Sequence, residues 1–250
     1  MSSSLVGSEM CIRDRIICDH HNPAEILPDA FVILNPKQVD CNYNFKELCG
    51  CGIGLKLIQG YLNHYKVTYD ISYAYQLAAI ATTADVVPLI GENRLIVYLG
   101  LLSINTNPIS SVKKIWNTYP SLISFNSADL VFKIAPRINA AGRLAHAKIA
   151  VEFLLSADGD EKSVFSDIES LNKNRKSLDE DITKEALFQL SKTPATRFTN
   201  VVYSPNWHKG VIGIVASRVI EDFYKPTIVF SGDGDLITGS ARSVKEFDIY

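Results

Sequence analysis

Short apolar runs and amphipathic stretches follow one another along this chain, and their spacing predicts an α/β fold. The runs at 16–18 and 30–34 are rich in aliphatic and β-branched residues and are closed by polar residues or proline. Buried strands of a parallel sheet have this pattern. Apolar residues then recur at helical spacing and predict helices over 50–65, 71–83, 94–102, 111–118 and 149–155.

The segment 161–192 differs because it is strongly charged and has only a narrow apolar stripe, which Arg175 interrupts. The stripe consists of Val164, Ile168, Leu171, Leu178 and Ile182. One thin buried face suits a long surface helix that bridges two domains. A peripheral helix of a single domain would show the same pattern.

The end of the chain predicts further α/β structure. Strands over 200–203 and 226–230 flank a helix over 211–223. The glycine- and aspartate-rich stretch 231–235 predicts a turn, and another strand begins at 236.

Composition places the chain among ordinary globular proteins, since 47% of its 250 residues are hydrophobic and 21% are charged. This length allows one large domain or two modest ones. With a net charge of −2, any binding of nucleic acid must come from a local basic cluster and not from the overall field. No apolar run reaches about 18 residues, so no membrane span is predicted.

The cysteines and the first residues add little. All five cysteines lie in the first 51 residues, and Cys49 and Cys51 are too closely spaced for a zinc knuckle. Reduced thiols in a cytoplasmic protein are the better interpretation. Residues 1–15 have neither the apolar core of a signal peptide nor a helix or strand pattern, so we expect a foreign leader.

The first candidate chemistry is the sequence Asp19-His20-His21, directly after the strand predicted at 16–18. Three adjacent polar residues at a strand end cannot all belong to a core. Imidazole nitrogen combined with carboxylate oxygen from Asp19 or Asp85 suits Mn²⁺ or Mg²⁺, with some tolerance for Zn²⁺. The alternative is a strand-to-loop junction whose histidines bond to the backbone.

Asp85 stands in apolar sequence, between Ala84 and the segment Val86-Val87-Pro88. A carboxylate in such surroundings is costly unless it is paired or bound to a metal. Taken alone, an aspartate that ends a helix and caps the turn before Pro88 is the simpler interpretation. Convergence of Asp85 with the histidines on one metal would favour the functional interpretation.

Two later segments combine arginine with small residues, a composition that suits phosphate. In the first, Arg137, Asn139 and Arg143 surround two alanines and a glycine, and the alternative is a surface loop with solvated arginines. In the second, residues 239–243 (GSARS) follow a strand. Backbone N–H groups, hydroxyls and a guanidinium can form a phosphate nest there.

Residues 207–210 (WHKG) precede a helix whose second turn carries Ser217 and Arg218. Trp207 suits either of two roles, stacking on a base or packing at a domain seam.

The ordered set of these motifs resembles the DHH superfamily of phosphoesterases, and within it the RecJ family of single-strand-specific exonucleases. The likeness runs in order from about residue 16 to residue 250, which makes it highly specific. The matching pieces are CDHHNP (18–23), LNPK (34–37), FKEL (45–48), GCG (50–52), ADVVPL (84–89), GENR (91–94), PRINAAGRL (136–144), WHKGVIGIVASR (207–218) and GSARS (239–243).

The resemblance implies an α/β protein with a truncated parallel-sheet DHH catalytic domain at 16–158, a long connecting helix at 159–193 and a partial α/β DHHA1 domain at 194–250. It implies 5′-to-3′ hydrolysis of single-stranded DNA with Mn²⁺ or Mg²⁺, in recombination and repair in the cytoplasm. A single-strand-binding protein or a helicase would be a further partner.

The resemblance also implies roles for individual residues. His20 and Asp85 would bind the metal, His21 would contact the scissile phosphate or assist the leaving group, and Asp19 would orient the imidazoles or act as a ligand. The expected substrate-binding residues near the metals are Arg137, Asn139 and Arg143. Those expected at the terminal phosphate or the adjacent backbone are Arg218, Ser240, Arg242 and Ser243, and His208 is a further substrate-binding candidate.

The chain departs from the family pattern at both ends. The Asp-x-Asp and Asp-Asn motifs expected before the DHH motif, and the Gly-Gly-His segment expected in the DHHA1 domain, are not found. We therefore expect an internal fragment that is inactive alone, because two ligands cannot replace the full set of a two-metal site. Two alternatives are another DHH phosphoesterase that acts on short RNA or cyclic dinucleotides, and a non-catalytic scaffold that binds single strands.

Overall fold

The computed structural model describes residues 14–156, 162–194 and 196–249. The chain forms two compact units, Met1–Ala135 and Pro136–Tyr250. Nearly all of the leader predicted at 1–15 lies outside the described residues, and the predicted domain boundaries stay predictions.

The first unit begins with two short parallel strands, β1 (Ile16–Cys18) and β2 (Val32–Leu34). Both strands were predicted, but their predicted burial is wrong. Ile16 is 51% exposed and Val32 is 37% exposed. Within the described ranges this sheet has only two strands, so it offers too little apolar surface to bury both of its faces.

Four helices follow in the first unit, close to the predicted ranges. They are α1 (Gly50–Tyr65), α2 (Ser72–Ala84), α3 (Gly91–Thr106) and α4 (Ser110–Asn117). Apolar residues from the segment before α1 and from the first three of these helices form one core, which contains Leu48, Ile53, Leu55, Ala74, Ala78 and Ile96. The core packs beside the ends of the two strands, since Cys18 and Leu34 lie against it.

Helices α2 and α3 cross at a glycine. A Cβ atom added to Gly100 would lie 2.3 Å from Ala79 Cβ and 2.5 Å from the carbonyl oxygen of Tyr75. Ala79 is fully buried, so neither helix can move aside cheaply. The close approach therefore requires glycine at this position.

Helix also covers the arginine-rich segment for which a surface loop was the alternative. A short helix, α5 (Ser127–Asp129), leads into a π-helical turn (Leu130–Ile134) and then into α6 (Ala135–Leu144). Asn126 and Asp129 form a reciprocal capping box at the start of α5. The surface-loop interpretation is wrong, because Arg137 is buried in α6.

In the second unit, two further helices lead into a small α/β sheet. The elements are α7 (Lys148–Leu155), α8 (Lys162–Ser191), β3 (Asn200–Ser204), α9 (Ile212–Asp222), β4 (Thr227–Asp233) and β5 (Leu236–Arg242). Strand β4 is central, parallel to β3 and antiparallel to β5. The predicted turn is the tip of the β4–β5 hairpin, where Gly234 has a positive φ of 62°.

Helix α8 spans nearly the predicted range, and two residues of the predicted stripe, Ile168 and Ile182, are buried. Ile182, Ala186 and Leu190 pack on a core that includes Val202, Trp207, Val211, Val215 and Val229. Three polar side chains are buried on the same helix, which the apolar pattern did not predict: Asn172, Asp179 and Thr183.

Among the described helices, none is by itself long and apolar enough to cross a membrane. Helices α3 and α4 meet the length and composition criteria only as a pair, which is bent by 70°.

Candidate metal and phosphate sites

The Asp19-His20-His21 sequence lies where β1 ends. The backbone N–H of Asp19 still donates to Leu34 O at 3.0 Å, so strand pairing holds the first of the three residues in place. The buried amide of Asn35 then donates to His21 O at 2.8 Å and fixes the last. The carboxyl end of a parallel strand is a common ligand position in α/β proteins.

Asp19 orients His21. Its Oδ1 accepts hydrogen bonds from the backbone N–H groups of His20 at 2.9 Å and His21 at 3.3 Å, and lies 2.7 Å from His21 Nδ1. Burial by itself would raise the pKa of Asp19, but these hydrogen bonds outweigh it and lower the pKa. Asp19 is thus ionised at neutral pH, and His21, whose side chain is 78% exposed, keeps Nε2 available for a substrate.

His20 meets Asp85, as the functional interpretation of Asp85 requires. His20 Nε2 lies 3.0 Å from Asp85 Oδ2. Asp85 also ends α2, as the simpler interpretation predicted, and its backbone N–H bonds to Ala81 O. Its position in the helix and its contact with His20 are therefore compatible.

The distance between His20 and Asp85 fits a shared cation. Neighbouring ligands of an octahedral cation, each about 2.1 Å from the metal, lie about 3 Å apart. One imidazole nitrogen and one carboxylate oxygen form a donor set that Mn²⁺ accepts well and Mg²⁺ accepts through the oxygen. In the part of the chain that the structure describes, however, no group of three or more His, Cys, Asp or Glu side chains could hold a metal ion. The pair is thus part of a metal site at most.

The residue after Asp85 is strained. Val86 has a φ of 57°, a left-handed conformation that a β-branched side chain rarely adopts, and its side chain is largely exposed. Strain of this kind persists where the surrounding structure imposes it, often at a functional site. The turn directs the chain away from α2 immediately after the carboxylate that contacts His20.

In the second unit, Arg137 and Arg143 differ in environment. The buried guanidinium of Arg137 forms an ion pair with Glu169 on α8, and its Nη2 lies 3.4 Å from Glu169 Oε2. A phosphate would have to compete with this carboxylate. Arg143 and Asn139 are exposed on α6.

The end of α6 touches the segment before α9. Arg143 Nη1 donates to Gly210 O at 3.2 Å, and a Cβ on Gly210 would lie 2.1 Å from Arg143 O. The His208 Nδ1 accepts from the Gly210 N–H at 3.0 Å. Glycine at 210 thus allows two of the predicted phosphate-binding segments to meet backbone to backbone.

Ser240 and Arg242 lie over the first turn of α9. A Cβ on Gly213 would be 3.1 Å from Ser240 Oγ and 3.3 Å from Arg242 Nη2, so both side chains occupy the space that glycine leaves. Arg242 Nε also donates to Ser217 Oγ at 3.3 Å. A guanidinium and a hydroxyl beside a helix N-terminus form a suitable anion-binding arrangement. Ser243 contributes less directly, since its hydroxyl donates to Phe247 O.

Trp207 packs in the core, so the base-stacking interpretation is wrong. The side chain is 4% exposed, and its indole Nε1 donates to Glu185 Oε2 at 2.7 Å. The alternative, packing at a domain seam, is correct as far as packing goes, since the residues around Trp207 form the core of the second unit.

The acidic partners of the arginines were not predicted from the sequence. Glu169 pairs with Arg137, and Asp179 pairs with Arg218 at 2.8 Å between Oδ2 and Nη2. Both acids lie on α8, next to stripe residues. The signal that could have indicated Asp179 is its i, i+4 spacing from Arg175, the residue that interrupts the stripe.

In this structure a histidine meets a carboxylate where a parallel strand ends, and arginine and serine side chains lie where they could bind phosphate. Metal-dependent phosphoesterases combine features of these two kinds. Residues 3–84 match the DHH family, N-terminal domain. Over these residues the first unit is similar to the N-terminal domain of that family.

The individual relatives are RecJ exonucleases. The chain is 38% identical over 241 residues to the single-stranded-DNA-specific exonuclease RecJ of Bacillus subtilis (strain 168). The match covers 95% of this chain and 30% of that protein. It is 34% identical to the RecJ of Salmonella typhimurium (strain LT2), over 92% of this chain and 43% of that protein. The chain thus spans less than half of the length of either relative.

Solved structures give the same result. An exonuclease RecJ bound to manganese matches with a TM-score of 0.78 and 29% identity, over 94% of this chain and 58% of that chain. The RecJ of Thermus thermophilus in complex with Mn²⁺ matches with a TM-score of 0.80 and 29% identity, over 93% of this chain and 34% of that chain. A structure of the same Thermus protein contains Mg²⁺. The chain is homologous to one part of these exonucleases along nearly its whole length.

Proposed function

We propose that this chain carries part of the catalytic apparatus of a single-stranded-DNA-specific exonuclease that works in the 5′-to-3′ direction. The observation that supports this most directly is the 3.0 Å contact between His20 Nε2 and Asp85 Oδ2 at the end of β1. Similarity to RecJ over 95% of the chain supplies the substrate class and the reaction.

His20 and Asp85 would hold Mn²⁺ or Mg²⁺ together with ligands from outside the described residues. The bound metal supplies an activated water and neutralises charge on the phosphate. His21, whose Nδ1–H donates to Asp19, would need a second proton on Nε2 to donate a hydrogen bond to the scissile phosphate or to give that proton to the leaving oxygen. Asp19 would act through His21 by orienting its ring and by stabilising the doubly protonated form.

The arginines would bind the DNA backbone. Arg143 is exposed and able to reach a phosphate, whereas Arg137 would first have to leave Glu169. Ser240, Arg242 and Arg218 are suited to the terminal phosphate, because guanidinium groups and a hydroxyl lie beside the first turns of α9. Asn139, His208 and Ser243 complete the proposed substrate-binding set.

The proposal includes a cellular setting. We place the enzyme in the cytoplasm, in DNA recombination and repair, where a single-strand-binding protein or a helicase would deliver the substrate.

A chimera tests the proposed function. This chain should replace the matching segment of the Bacillus subtilis exonuclease, and the product should be assayed with Mn²⁺ on 5′-labelled single-stranded DNA. We expect nucleotide release that a chelator abolishes. His20→Ala and Asp85→Asn should each lower the rate by at least about a hundredfold, because each removes a metal ligand.

The matched control is His64→Ala, which removes an exposed histidine of α1 and should leave the rate unchanged. The 250-residue chain alone should release no nucleotides, since the described residues offer only a partial metal site. A folded chimera whose activity survives His20→Ala would contradict the proposal. One that binds single strands without cleaving them would favour the scaffold, and cleavage restricted to dinucleotides would favour the small-substrate phosphoesterase.

A further inference from the structure

Helix α8 contributes a carboxylate, Asp179, that contacts Arg218, one of the proposed phosphate-binding residues of the second unit. The side chain of Asp179 is completely buried. Its Oδ2 lies 2.8 Å from Nη2 of Arg218 on α9 and 3.7 Å from Nη1 of Arg175, one turn earlier on α8. Asp179 therefore links the long helix to a proposed phosphate-binding arginine.

Arg175 belongs to the same buried group. Its side chain is 12% exposed, and its Nη2 donates to Asn172 Oδ1 at 2.9 Å. Burial lowers the pKa of Arg175, Asp179 opposes this effect, and the positive charges of Arg143 and Arg218 lower the pKa further. Arg175 is thus near enough to Arg143, Arg218 and Asp179 for their charges to act on it.

Burial works against the charged form of Asp179. It raises the pKa of Asp179, and the charges of Arg218 and Arg175 offset this effect in part. The two arginines are therefore the groups that stabilise the charged carboxylate in this position.

One nitrogen of the Arg218 guanidinium contacts a carboxylate, while part of the side chain is exposed to solvent. Its side chain is 42% exposed although its Nη2 contacts a fully buried carboxylate. It follows Ser217, whose hydroxyl accepts from Arg242 Nε at 3.3 Å. The rest of the guanidinium is thus open to a ligand while Asp179 contacts Nη2, and an arginine that is already held at one nitrogen has a lower ordering cost of binding.

We propose that Asp179 is a positioning residue that holds Arg218 in the orientation that binds a terminal phosphate of single-stranded DNA. This inference rests on the proposed function and adds the long helix to the phosphate-binding apparatus. Asp179 touches no substrate and acts through Arg218.

The test measures the affinity of the chain for an oligothymidylate with a 5′-phosphate and for the same oligonucleotide with a 5′-hydroxyl, by fluorescence anisotropy with EDTA present. The unsubstituted chain should prefer the phosphorylated form. Asp179→Asn should reduce this preference at least about fivefold and leave the affinity for the hydroxyl form unchanged. In an Arg218→Gln background, Asp179→Asn should have no further effect, because its contribution passes through Arg218.

The matched control is Asp181→Asn, which removes the same charge from an exposed position on α8 and should keep the full preference. Asp179→Asn keeps the size and shape of the side chain and should still fold, as its thermal unfolding transition would show. Equal loss for both oligonucleotides, additivity with Arg218→Gln, a stronger preference for phosphate, or failure of Asp179→Asn to fold would each overturn the inference. If the unsubstituted chain binds neither oligonucleotide, the proposed function itself fails, and the inference fails with it.

Discussion

At the scale of single residues, a few hydrogen bonds and one helix end hold the residues of the candidate metal site in place. Strand pairing fixes Asp19, the carboxylate of Asp19 fixes the ring of His21, and Asn35 fixes the carbonyl of His21. His20 is then directed to Asp85, whose own position is set by the end of α2. Each of these residues is held by a hydrogen bond or a helix end, so the site is largely organised before a ligand binds.

Val86 offers a test of strain at this site. Val86→Gly should raise the free energy of unfolding by about 1 kcal/mol, because relief of a strain of about 1–3 kcal/mol exceeds the added entropy of glycine in the unfolded chain. Urea unfolding measures the change.

The control for Val86 is Val87→Gly, one residue further along. Val87 has no positive φ, so its replacement should lower the stability by about 0.5–1 kcal/mol. If Val86→Gly lowers the stability by as much as Val87→Gly does, Val86 is not strained.

At the scale of elements, close packing of helices positions the helix ends at which candidate site residues lie. Helix α2 ends at the carboxylate that meets His20, and α2 is held against α3 at Gly100. In the second unit, α6 contacts the segment before α9 at Gly210. The periodicity of apolar residues predicted most of these helices but not the small residues that let them touch.

Gly100 should therefore be intolerant of even one methyl group. Gly100→Ala should lower the free energy of unfolding by about 2–3 kcal/mol, because overpacking against Ala79 and the Tyr75 backbone outweighs the better helix propensity of alanine. Thermal or urea unfolding provides the measurement.

Gly54 on α1 is a matched control, since a Cβ there would meet no atom within 4 Å. Gly54→Ala should raise the stability by about 1 kcal/mol through helix propensity alone. Similar effects of the two substitutions would show that α2 and α3 are not packed as described.

At the scale of the whole molecule, the net charge of −2 says little about DNA binding, because the relevant arginines are concentrated on a few elements of the second unit. Arg143, Arg218 and Arg242 lie on α6, α9 and β5, and acids on α8 neutralise part of the local charge. For the proposed DNA binding, the positions of these arginines therefore matter more than the net charge of the chain.

The salt dependence of the affinity for single-stranded DNA tests whether these arginines contact phosphates. With three arginine–phosphate contacts, the logarithm of the affinity for single-stranded DNA should fall against the logarithm of salt concentration with a slope of about −2. Arg242→Gln should make the slope shallower by about 0.7. Replacement of Lys148, which is exposed on α7 and paired with Glu152, should leave the slope unchanged. A slope near zero for the unsubstituted chain would contradict a phosphate-binding role for these arginines.

Much of the fold was predictable because apolar periodicity is a local property. The ranges of α1, α2 and α8 and the hairpin of β4 and β5 follow from residues close in sequence. The burial of the first two strands and the helical state of α6 were not predicted correctly, since both depend on which elements pack against them. The acidic partners of the arginines were missed for the same reason.

By itself, the amino-acid sequence determined the candidate chemistry of this protein: which side chains are suited to metal or phosphate, and which segments form most of the helices and strands. Only the tertiary structure decided which of those side chains meet. It brought His20 to Asp85 from distant parts of the sequence, buried Trp207 in a core, and paired Arg218 with Asp179. The physical reason is that local propensities act between neighbours in sequence, whereas ligand distances and ion pairs are set by long-range packing.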